Sequence, residues 1–181
     1  MGILESQLKT WSNAPGSTLY QNSYISVKSA LAESQSLKSR NFEVYLQGSY
    51  KNSTNIRGDS DVDIVVQLND VYYHDISELP SDQQQLFNSL WIPASYTLSE
   101  FKSQLFQALQ TYFGANSIRM GNKSIKLSGN QNRVSADIIV GSEYRYYTQF
   151  TSYSQNYISG ITFFPTNSQI KIIYDTGNCS C

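Results

Sequence analysis

The chain has 181 residues, 40% of them hydrophobic and 15% charged, which is enough for one domain with a real core and too apolar for a disordered chain. A formal net charge of −1 excludes a surface built for general polyanion binding, so long DNA or RNA is not an expected ligand. No apolar run reaches the roughly 18 residues of a membrane span, and neither a membrane nor a secretory leader is expected. Cys179 and Cys181 are the only cysteines, so the body of the fold has no disulfide framework and a cytoplasmic location is expected.

Ser17 follows Pro15-Gly16 with the chemistry of an N-cap, and Tyr20, Tyr24, Val27 and Leu31 come next at helical spacing. That pattern predicts a helix ending before Arg40-Asn41. In FEVYLQGS, Phe42, Val44 and Leu46 alternate with Glu43, Tyr45 and Gln47, the pattern of a half-buried strand closed by Gly48. DVDIVVQL, residues 61–68, predicts a second and more deeply buried strand. Residues 69–96, with Pro80, Pro93 and the polar SDQQQ, read as an insertion holding a short helix.

Thr97-x-x-Glu100 is a capping box opening a helix with Leu98, Phe101, Leu105, Ala108 and Tyr112 on one face, stopped by Gly114. SIRMGNKSIKLS predicts a hairpin around Gly121-Asn122, RVSADIIVG a further strand, and GITFF and QIKIIY two more. The order implies an α+β fold, a mixed sheet with helices packed on one face. A single domain is expected over 1–181, with its core at about 17–175 and a polar tail at 176–181.

Asp61 and Asp63 project from one face of their strand while Val62 and Ile64 project from the other. Asp137 is another acid in an apolar run, and a paired neighbouring strand would bring it beside the first two. Carboxylates converging in this way supply hard oxygen ligands for divalent cations, Mg²⁺ above all, in a site that aligns an attacking hydroxyl with a leaving phosphate. Gly48 lets backbone amides approach a phosphate and Ser49 adds a donor. Each feature alone has an ordinary reading: a solvated loop for Asp-x-Asp, a turn for Gly-Ser, a strand end for Asp137. Their order along the chain favours the chemical one. Asp59, ahead of the strand, reads as a solvated loop residue.

QGSYKNSTNI…SDVDIVV with the later Asp137 resembles the polymerase-β-like nucleotidyltransferases. Within them it is most similar to the bacterial cGAS/DncV-like enzymes (CD-NTases), which make cyclic di- and trinucleotide signals in anti-phage defence. The resemblance covers about residues 17–175. It implies Asp61, Asp63 and Asp137 as catalytic metal ligands, Mg²⁺ or Mn²⁺ as cofactor, and nucleoside triphosphates as substrates. Gly48 and Ser49 would contact the donor phosphates. Lys123 is either a further phosphate contact or an exposed hairpin lysine.

Three functions fit the resemblance: the catalytic lobe of a second-messenger synthase, a small enzyme transferring AMP to a protein or an antibiotic, and an inactive nucleotide-binding remnant. The family continues into a helical C-terminal region, which is not expected within these residues, since they end in IIYDTGNCSC. Ile161, Phe163, Phe164, Ile170, Ile172, Ile173 and Tyr174 are then expected to form an exposed apolar face, covered by a homodimer, the missing lobe or a partner protein.

Overall fold

In a computed structural model, residues 17–47 and 61–165 are described, together with the backbone of 171–180. Helix α1 (Ser17–Glu33) buries Tyr20, Tyr24, Val27 and Leu31, the face its spacing predicts. It ends well before Arg40. From Ser34 the chain takes successive turns, Leu37 N–H to the Ser34 carbonyl and Arg40 N–H to the Leu37 carbonyl, which still deliver Leu37 to the core. Serine hydroxyls at Ser34 and Ser36 bond one another there, a local alternative to helix continuation.

The strands are β1 (Phe42–Gln47), β2 (Val62–Asp75), β3 (Ile118–Met120), β4 (Ile125–Leu127), β5 (Ala136–Phe150), β6 (Gln155–Phe163) and β7 (Lys171–Ser180). Helices α2 (Ser81–Leu90) and α3 (Leu98–Phe113) lie between β2 and β3. The sheet order is β1-β2-β5-β4-β3, with β6 paired to β5 and β7 to β6. Among the described strands only β2 and β5 run parallel; the other pairings are antiparallel. The first residues of β5 pair with β4 and its later part with β6, so this long strand anchors both halves of the sheet.

β2 does not stop at Leu68. The β2–β5 register shifts between Leu68 and Tyr72, and pairing then resumes to Asp75. The Ser142 hydroxyl donates to the Val71 carbonyl at this irregularity. The start of the stretch read as insertion, 69–75, is therefore strand, disguised because polar Asn69-Asp70 fall where the bulge frees them from a buried face. The helix expected within it is α2. The capping box of α3 forms as expected, with Glu100 N–H donating to Thr97 Oγ1 and Thr97 N–H to Glu100 Oε2. Gly114 ends that helix at φ 85°, a conformation that favours glycine.

Val62, Ile64, Val66 and Leu68 of β2 join Ala136, Ile138 and Val140 of β5 in one core with α1 and with Phe101, Leu105 and Leu109 of α3. Alternation sends Asp63, Val65, Gln67 and Asp137 to the other side of the sheet. A second cluster forms where Phe87 of α2 meets Tyr147 and Phe150 at ring distances of 5.2 and 4.9 Å. At Gly141 the sheet is tight: a Cβ there would lie 2.9 Å from the Thr162 carbonyl oxygen.

Among the described residues the expected exposed apolar face is not found. Phe163 is 5% exposed, Ile161 is half-buried, and Phe164 packs its ring 4.9 Å from Tyr73. Phe164 packs against the main core. Ile170 and the side chains of Ile172, Ile173 and Tyr174 lie outside the described residues. Among the described residues no helix is long and apolar enough to cross a membrane.

Candidate active site

The parallel pairing of β2 with β5 sets Asp63 directly beside Asp137. Direct neighbours across a sheet share a face, here the one turned away from α1 and α3. Asp61 stands just before β2 and accepts a hydrogen bond from the Ser135 hydroxyl, while Val62 N–H donates to the Ser135 carbonyl at 3.0 Å. These two bonds tie the approach to β2 to the approach to β5.

Burial raises the Asp63 carboxyl above its usual range, and the charges of Asp137 and then Asp61 raise it further. Among the described residues no donor is hydrogen-bonded to the Asp63 carboxylate. Asp137 has a partner: Lys126 Nζ lies 3.1 Å from its Oδ1 and 3.4 Å from its Oδ2. The hydrogen bond and charge of Asp137 push the Lys126 amine upward.

The three acids are thus neighbours, but they do not close on a common point. Among the described residues no group of three acid, histidine or cysteine side chains is placed to hold an ion. Asp61 turns to Ser135 and Asp137 to Lys126. The donor set nonetheless fits a hard divalent cation: all oxygen ligands, one of them with its negative charge uncompensated.

Gly48 and Ser49 lie outside the described residues. Gln47, which precedes them, pairs with Asp63. Lys123 is exposed in the β3–β4 turn. The lysine beside the acids is Lys126, since the hairpin register sets it opposite Asp137. Sequence reasoning misses both Lys126 and Ser135. The signal for Lys126 is its place between Ile125 and Leu127, whose burial turns it to the opposite face. Ser135 has none beyond its place two residues before Asp137.

A family model described as "Nucleotidyltransferase domain" matches residues 27–108, a span that includes Asp61 and Asp63. The chain is 40% identical to a cyclic UMP-AMP synthase of Rhodothermus marinus over 164 residues, 91% of this chain and 54% of that protein. It is 37% identical to the cyclic nucleotide synthase CdnE01 of Staphylococcus haemolyticus, over 96% of this chain and 58% of that protein. The solved structure of the Rhodothermus marinus CdnE c-UMP-AMP synthase with Apcpp and Upnpp is similar at a TM-score of 0.74 and 38% identity, covering 96% of this chain and 57% of that one. The chain spans about half the length of the curated relatives it matches. With an acid pair in register on parallel strands and likeness along nearly its whole extent, the chain belongs to the polymerase-β-like nucleotidyltransferases, on their CD-NTase branch.

Proposed function

We propose that this chain holds the reacting phosphates of a metal-dependent nucleotidyltransferase that uses NTP donors to build a cyclic di- or oligonucleotide signal in anti-phage defence. One observation carries the proposal: Asp63 stands beside Asp137 on the sheet face away from α1 and α3, its charge raised in energy and unmet by any described donor. Relatives named as cyclic nucleotide synthases support the product class.

Asp61, Asp63 and Asp137 would hold Mg²⁺ or Mn²⁺, which supplies charge neutralisation at the α-phosphate and lowers the cost of placing a hydroxyl oxygen against it. Everything else falls to the chain. A ribose hydroxyl of the acceptor attacks the donor α-phosphorus, a new P–O bond forms, and the bond to the bridging oxygen of the β-phosphate breaks. Pyrophosphate leaves with that electron pair, and the hydroxyl proton passes to a carboxylate on this face. Pairing across β2 and β5 fixes the acids relative to one another, so that positioning costs little during reaction. Lys126 holds Asp137 on this face of the sheet. The reading places the protein in the cytoplasm, where NTPs are made and used, and its sparing use of cysteine supports that.

Incubation with all four NTPs and Mg²⁺ or Mn²⁺, followed by mass spectrometry, tests the proposal. Pyrophosphate and a phosphodiester-linked nucleotide product are expected. A nucleotide mass added to a protein would instead favour an enzyme that modifies proteins. Release of neither pyrophosphate nor product would count against transfer by this chain.

A further inference from the structure

The registers of four strand pairings place five side chains on one rung of the sheet: Gln47 pairs with Asp63, Asp63 with Asp137, Asp137 with Lys126, and Lys126 with Arg119. All five share the face of the acids, because their neighbours Ile118, Ile125, Leu127, Ala136 and Ile138 are buried on the other. The rung therefore runs amide, acid, acid, cation, cation from β1 to β3. Lys126 answers Asp137, but Arg119 is exposed and, among the described residues, has no ion-pair partner. Its Cα lies two strand spacings from Asp137, about 10 Å. From a Cα at that distance an arginine side chain can extend toward a phosphate group on a substrate held at the acids.

We infer that Arg119, with Lys126 beside it, receives the phosphate of the acceptor substrate, the nucleotide whose hydroxyl attacks. In the nucleotidyl-transfer reading two substrates meet at the acids, and the rung has two unlike ends. The β1 side ends in Gln47 and leads into Gly48-Ser49, whose sequence suits the donor phosphates. The β3–β4 side presents two cations and no further acid on the rung. An arginine suits a phosphate because its planar fork binds two oxygens at once. Placed beyond Lys126, it would hold the acceptor without neutralising the carboxylates the cation needs. The inference rests on the nucleotidyl-transfer reading above and assigns one substrate of that reaction to a named edge.

Calorimetric titration of the protein with non-hydrolysable NTP analogues in Mg²⁺, carbon-bridged between α and β phosphates and tried for each base, provides the test. The wild type is expected to bind two equivalents. Arg119→Ala should weaken the second by about tenfold to a hundredfold, the scale of a lost charge-assisted hydrogen bond, and leave the first within about twofold. Arg119→Lys should recover part of the loss. Because Arg119 is exposed on a short edge strand, circular dichroism should show both variants folded. Equal weakening of both equivalents or of neither, or a wild type that binds only one, overturns the assignment of Arg119 while leaving transfer at the acids standing. No binding by the wild type with Mg²⁺ overturns the transfer reading and this assignment together.

Discussion

Replacing Asp63 by Asn is expected to reduce nucleotidyl transfer on the order of 10³-fold, the scale on which one preorganised electrostatic group acts at a transition state. The same change should leave the metal-free protein as stable as the wild type, or slightly more so. Asp63 is half-buried beside two other carboxylates, and its carboxyl is pushed upward first by burial and then by Asp137 and Asp61. A carboxyl raised in the folded state binds protons there that the unfolded chain has already lost. Stability therefore falls as pH rises from the ordinary carboxylate range through the raised value of Asp63. Asparagine removes that penalty while keeping the shape. Melting curves without metal between pH 4 and pH 8 should show less decline for Asp63→Asn than for the wild type. A clear fall in melting temperature at every pH would make Asp63 a structural residue instead.

Phe101→Ala should have the largest effect on stability, about 3–5 kcal/mol. Phe101 is fully buried in α3, with its ring 5.6 Å from that of Phe42 on β1, and it belongs to the core beneath β2. Its removal opens a cavity between α3 and the strand pair that carries the acids. For a chain of this length a loss of that size lowers the melting temperature by roughly 6–20 °C. Denaturant unfolding should show a lower midpoint with little change in slope. A loss below about 1 kcal/mol would mean that α3 repacks freely and does not set the sheet's geometry.

Elements with a complete local signal are legible in the amino-acid sequence. Thr97 and Glu100 announce α3 because the capping box is a contact within four residues, and Gly114 ends it because the backbone there needs a positive φ. Asp61 and Asp63 are legible as a pair because alternation alone puts them on one face. Their meeting with Asp137 depends on the parallel β2–β5 register, which no local pattern establishes. The hidden features are all non-local. In sequence β2 ends at Leu68, because a bulge places Asn69 and Asp70 where a buried strand would not tolerate them, and the partner that restores the strand lies far along the chain in β5. Sequence points to Lys123 rather than Lys126 because a turn's exact length decides which lysine faces Asp137.

These carboxylates should bind nucleotide only through a divalent cation, and on that claim the proposed chemistry stands. Isothermal titration of ATP and GTP into the protein, with Mg²⁺ and again in EDTA, tests it most directly. With the cation we expect saturable binding that Asp63→Asn and Asp137→Asn each abolish; in EDTA we expect none, because three acids on one face repel a bare triphosphate. Equal affinity in EDTA and in Mg²⁺ would contradict it.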